Sequence, residues 1–99
     1  MLAYIICSSQ REAEEISIEL LEKRLIACAN IFPVKSIFRW DKKIVQEKEI
    51  VIIAKTNSKN FRKVAEITEK IHSYKIPCII KINSKANSDY EKWVKKEML

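Results

Sequence analysis

Ala27-Cys28-Ala29-Asn30-Ile31-Phe32-Pro33-Val34-Lys35-Ser36-Ile37-Phe38-Arg39-Trp40 is the stretch that decides the fold. It is rich in Ile, Phe and Val, so it reads extended, as one long strand. Pro33 cannot donate to a ladder, which predicts a sheet edge or a bulge there. Asp41-Lys42 makes a tip, and Lys43–Thr56 returns as a second long strand. Its first half alternates charge and hydrophobe. Its second half, Ile50-Val51-Ile52-Ile53-Ala54, is apolar on both faces, as a central strand requires.

Length turns this hairpin into evidence. A strand from Ala27 to Trp40 spans roughly 45 Å at about 3.3 Å per residue. A compact chain of this size has a diameter of only roughly 33 Å. The hairpin should therefore overshoot its own domain, carrying Ile37, Phe38, Trp40 and Ile44 with it. A protruding apolar edge is an aggregation hazard unless something pairs with it. Another copy of the same chain is the simplest cover, which predicts a closed homo-oligomer. Its expected interface is Phe32, Pro33, Ile37, Phe38, Trp40, Ile44 and Trp93.

The flanking segments supply the remaining elements. Leu2–Ser8 is a short apolar run bounded by Ser8-Ser9, a buried strand. Ser9, with Glu12 three residues on, is spaced as a capping box. Ala13, Ile16, Leu20 and Leu21 then recur at helical spacing to about Leu25. Asn57-Ser58 opens a second helix whose Phe61, Val64, Ala65, Thr68 and Ile71 share one face. Pro77–Ile82 reads as a fourth strand. Asn87-Ser88 opens a last helix, with Ser88 and Glu91 as a capping box and Tyr90, Trp93 and Val94 as its apolar face. The order is β-α-β-β-α-β plus a C-terminal helix. This is the ferredoxin-like α+β pattern, an antiparallel sheet with helices on one face and a long protruding β2-β3 hairpin. Residues 1–99 form one domain, with no linker or repeat.

Composition narrows the function classes. The chain has 99 residues, 47% of them hydrophobic, and a formal charge of +6. No apolar run is long enough to span a bilayer, so no membrane partner is expected. The start reads as a strand rather than a signal peptide, which predicts a cytoplasmic protein. The basic charge is scattered lysine without a dense stripe. The run Ile50-Val51-Ile52-Ile53-Ala54 lacks the glycine and aromatics that an RNA-binding sheet of this topology needs, so no nucleic acid partner is expected. Glycine is absent altogether, so turns fall to Asn, Asp, Ser and Lys. No nucleophile–base pair, paired carboxylates or phosphate loop is present, so no enzyme activity is expected.

Three cysteines without a Cys-x-x-Cys pair exclude a zinc ribbon. Strand order nevertheless makes a metal site conceivable. The end of the first strand, Cys7, should lie near the start of the fourth, Cys78, and His72 stands just before that start. Two thiols and an imidazole suit a soft ion such as copper(I), or zinc. Cys28 begins its strand at the opposite end and should be too far away within one subunit. A second reading is a cleft between subunits for a small anionic ligand, lined by Trp40, Lys55, Thr56, His72 and Tyr74.

Many of these residues also carry a family resemblance. Cys7, Lys23-Arg24-Leu25-Ile26-Ala27-Cys28-Ala29-Asn30-Ile31, Pro33, Ser36, Trp40, Glu49, Lys55-Thr56, His72, Tyr74, Pro77 and Tyr90-x-x-Trp93 together resemble the signature of the CutA family, linked to divalent-cation tolerance. The resemblance implies a ferredoxin-like fold, a tight homotrimer and a non-enzymatic role in the response to metal ions. It also implies copper or another divalent metal as partner, with Cys7, Cys28 and His72 as the matching positions. Trimers of the PII type, an analogy of fold only, bind effectors between subunits. The chain departs from the family pattern at three places. Phe38 stands for a tyrosine, Lys42 for the glycine of the hairpin tip, and His72-Ser73-Tyr74-Lys75-Ile76-Pro77-Cys78 lacks two carboxylates, at Lys75 and Cys78.

Overall fold

The computed structural model describes residues 1–99 throughout. The elements run β1 (Leu2–Cys7), α1 (Gln10–Glu22), β2 (Cys28–Trp40), β3 (Lys43–Lys55), α2 (Ser58–Ile71), β4 (Ile79–Ile82) and α3 (Ser88–Glu97). All strand pairs are antiparallel, and the sheet order is β2-β3-β1-β4. This is the expected ferredoxin-like α+β arrangement with its additional C-terminal helix.

The core lies on one face of the sheet. Ala3, Ile5 and Cys7 of β1 and Ile52 and Ala54 of β3 are buried beneath Ala13, Ile16 and Leu20 of α1 and Val64 of α2. Alternation along each strand puts Cys28, Phe32, Phe38 and Trp40 on the other face. α3 packs at the end of the sheet, where Val94 and Met98 cover Ala27.

Register defines how far the hairpin protrudes. β1 pairs with β3 from Leu2↔Lys55 to Cys7↔Ile50 and no further. The rungs from Val34↔Glu49 to Trp40↔Lys43 therefore join β2 and β3 alone. Seven such rungs extend roughly 24 Å, which accounts for the 45 × 25 × 21 Å shape of the chain. Ile37, Trp40 and Ile44 on this extension are each more than 60% exposed. Pro33 sits on β2, an edge strand of the sheet, where its missing N–H breaks no ladder bond.

Three residues take positive φ in a chain without glycine: Arg24, Asp41 and Lys42. Asp41 and Lys42 form the hairpin tip, with both central residues left-handed as in a type I′ turn. Arg24 closes α1. Its N–H reaches Leu21 O, and Leu25 N–H reaches Leu20 O, the paired bonds of a Schellman motif. The arginine side chain then donates to the carbonyls of Lys96 and Glu97, both at 3.1 Å. Arg24 thereby terminates one helix and satisfies the last carbonyls of another.

Two boundaries differ from the sequence expectation by more than one residue. α1 ends at Glu22 rather than near Leu25, because the left-handed Arg24 reverses the chain. β4 begins at Ile79 rather than Pro77. Only the carbonyl of Cys78 still bonds to β1, at Ile6 N, and Pro77 has no N–H with which to extend the ladder.

Candidate functional site

The expected capping box at α1 forms only by half, and its other half builds the site. Ser9 Oγ accepts the N–H of Glu12, as an N-cap should. The Glu12 carboxylate does not return to Ser9. Its Oε1 accepts from Ser8 N–H and Ser8 Oγ, and its Oε2 accepts from Ser73 N–H at 2.7 Å. Glu12 thus ties the start of α1 to the turn that follows α2. Burial pushes its carboxyl up, but the hydrogen bonds from Ser73 and Ser8 outweigh that and hold it down at about 2.

His72 lies beside this carboxylate as the residue that closes α2. Its side chain is fully buried, and its Nδ1 stands 4.0 Å from Glu12 Oε2. Nε2 meets the Ile6 carbonyl at 2.7 Å, so it carries the proton and donates. Nδ1 accepts the N–H of Tyr74 at 3.0 Å. Both ring nitrogens are therefore engaged. The Tyr74 ring leans on His72 with centroids 5.0 Å apart, and its hydroxyl donates to Glu49 at 2.5 Å.

Cys7 completes the cluster. The ligand atoms of Cys7, Glu12 and His72 all lie within 4.8 Å of one another. Burial, then the charges of Glu12 and Glu49, push the Cys7 thiol up to about 12, so it is protonated at neutral pH. A thiol, an imidazole and a carboxylate form a donor set suited to zinc or copper. The donors fit an ion chemically. An ion would have to expel the Cys7 proton and take the lone pair that Tyr74 N–H now occupies.

The expected metal ligands thus divide. Cys7 and His72 come together. Cys78 lies beside Ile6, one residue out of step with Cys7, and is not part of the cluster. Burial and then Glu49 raise its thiol. Cys28 is at the far end of the sheet, opposite Lys55, whose ammonium contacts Cys28 Sγ at 3.7 Å and also Asn30 Oδ1. Glu12 takes the place the sequence reading assigned to Cys78. Its spacing from Ser9 signalled only a local cap, because its decisive partner Ser73 is 61 residues away.

Within one chain the residues expected to line an intersubunit cleft lie apart. Trp40 is at the hairpin tip, Tyr74 is beside Glu49 at the hairpin stem, and Lys55 ends β3 with Thr56 next in the chain. Thr56 Oγ1 is committed to the Leu25 carbonyl. Lys55 and Thr56 do line a small cavity of about 180 Å³ with Lys85, Tyr90 and Glu91.

Comparison with known proteins agrees with this architecture. The family model described as CutA1 divalent ion tolerance protein matches residues 1–97. The chain belongs to the CutA1 family. The divalent-cation tolerance protein CutA of Archaeoglobus fulgidus is 48% identical over 79 residues, covering 80% of this chain and 78% of its own length. That of Thermotoga maritima is 35% identical over 100 residues, covering all of this chain and 99% of its own. The crystal structure of CutA1 from Pyrococcus horikoshii superimposes with a TM-score of 0.94 at 32% identity, over 99% of this chain and 97% of its own. A structure from A. fulgidus, described as a periplasmic divalent cation tolerance protein CutA, gives the same TM-score at 40% identity, over 97% and 95% of the two chains. The CutA1 fold, with its long β2-β3 hairpin, is therefore shared by this chain. No helix is long and apolar enough to cross a membrane.

Proposed function

We propose that this CutA1-family chain acts in divalent-metal tolerance by binding rather than catalysis, taking a thiophilic ion, with copper as first candidate, at Cys7, His72 and Glu12. The observation that carries this is the convergence of the three donor side chains within 4.8 Å at the junction of β1, α1 and α2. A role as a catalytic nucleophile is disfavoured, because Cys7 is buried and held as the thiol. Three unbridged cysteines suit a reducing compartment, and we assign the chain to the cytoplasm on that ground. The periplasmic description belongs to the A. fulgidus relative.

The working unit is a homotrimer. Phe32, Phe38 and Trp40 line the sheet face away from the helices, and Ile37 and Ile44 extend the apolar surface on the other side of the hairpin. A second copy offers the complementary strands and apolar area this extension lacks. The number three follows the family resemblance.

Copper(I) titration in competition with a chromogenic chelator tests the metal assignment. Cys7→Ser should weaken binding by at least about tenfold, as removal of a ligand does, while Cys78→Ser and Cys28→Ser leave it unchanged. Equal affinity of Cys7→Ser and the parent chain would reject the site. A small anion between Lys55, Thr56 and Lys85 is the second reading, favoured by the cavity they line. A thermal-shift screen of nucleotides and organic acids that moves no midpoint would remove it.

A further inference from the structure

We propose that the turn Ser73–Tyr74 is a latch over the donor cluster, opened by metal occupancy and pinned from the hairpin stem by the Tyr74–Glu49 hydrogen bond. The inference rests on the metal reading above and concerns how that site is regulated.

Two consecutive amides close the cluster. Ser73 N–H occupies Glu12 Oε2, and Tyr74 N–H occupies His72 Nδ1. These atoms belong to two of the three converging side chains. An amide proton and a metal ion cannot share one imidazole lone pair. The other ring nitrogen offers no way round, because Nε2 is spent on the Ile6 carbonyl inside β1. Turning the ring over would break that bond as well. A cation entering beside Cys7 must therefore lift Tyr74 N–H away. Ser73 N–H, its neighbour in the chain, is released with it if Glu12 also binds.

The latch is held from outside the cluster. Tyr74 Oη donates to Glu49, a residue only 9% exposed. Glu49 pairs with Val34 on the first rung beyond β1, where the hairpin leaves the body of the fold. Opening the turn pulls on this hydrogen bond. Metal occupancy and the hairpin stem are thus coupled through a single side chain, and the coupling must be reciprocal. Weakening the pin should favour the open turn and tighten metal binding, although neither Tyr74 Oη nor Glu49 touches the ion. A merely structural role for Tyr74 predicts the opposite, since loosening a site normally weakens it.

Amide hydrogen exchange on the full chain, with and without copper(I) held by competing bicinchoninate, reads the latch directly. Loading should speed exchange at Ser73 and Tyr74 by about tenfold or more, as expected when local hydrogen bonds open. Tyr74→Phe should bind copper(I) about threefold to tenfold more tightly, the equivalent of one lost hydrogen bond. Copper binding with unchanged exchange at both amides, or weaker binding by Tyr74→Phe, overturns the latch and leaves the metal site standing. No copper binding by the parent chain overturns both.

Discussion

Glu12 and His72 face each other at 4.0 Å, yet neither is paired with the other. Each instead accepts an amide from the same turn, Ser73 for the carboxylate and Tyr74 for the imidazole. One turn thus satisfies both of the polar side chains that approach the buried Cys7. The arrangement satisfies both side chains by hydrogen bonding and is chemically suited to an ion, and the following predictions separate those two properties.

Glu12 should be a stabilising residue in the metal-free protein. Replacing it by Gln removes a charged acceptor of three hydrogen bonds and should cost about 1.5–3 kcal/mol. Its carboxyl is depressed in the folded chain, to about 2. The unfolded chain therefore binds its proton first as pH falls, and the contribution is full above about pH 4.3. It disappears as pH drops through about 2. Acid unfolding of the parent chain and Glu12→Gln should converge at the bottom of that window; parallel curves throughout would contradict the assignment.

Metal affinity should rise with pH. The Cys7 thiol, pushed up to about 12, must give its proton to solvent when an ion binds. Affinity should then increase about tenfold per pH unit between about pH 6 and 8. A flat profile, measured by chelator competition, would mean that the thiol is not a ligand.

Arg24 combines a strained backbone with a useful side chain. Arg24→Ala keeps the left-handed φ and loses both bonds to the end of α3, so it should destabilise by about 1–2 kcal/mol. Arg24→Gly should be milder, because glycine recovers about 1 kcal/mol at this φ. Denaturant melts of the two variants check the order.

At the hairpin tip, Lys42→Gly should stabilise the chain. Lys42 has φ 64° in a two-residue turn that favours glycine, and relief of that conformation is worth about 1 kcal/mol. A lowered melting midpoint would show that the lysine side chain has a role of its own. Phe38→Glu, in contrast, should leave the monomer folded and shift sedimentation towards smaller species. It places charge on the apolar face that a neighbouring copy would cover.

Periodicity and length made most of the fold legible in the sequence. The long apolar runs around Asp41-Lys42 specified the hairpin, and helical spacing at Ala13, Ile16 and Leu20 specified the face α1 buries. The left-handed Arg24 carried no such signal, because nothing about arginine announces positive φ. The site was half legible. Cys7 and His72 could be brought together from strand order. Glu12 could not, since its contacts to Ser73 and its approach to His72 depend on how the turn after α2 folds back over α1. Cys78 does lie beside the end of β1 as expected, but opposite Ile6 rather than Cys7, which turns its side chain to the other face. Within one chain Trp40 and Lys55 stand at opposite ends of the hairpin and Tyr74 beside its stem, so a cleft that gathers them takes more than one chain.

X-ray absorption of the zinc-loaded chain tests the central claim most directly, because it counts the donors. One sulfur at about 2.3 Å with nitrogen and oxygen at about 2.0–2.2 Å is the result expected for Cys7, His72 and Glu12. Two or more sulfurs would bring in Cys78 or Cys28 and contradict the site; a shell of nitrogen and oxygen alone would remove Cys7 from it.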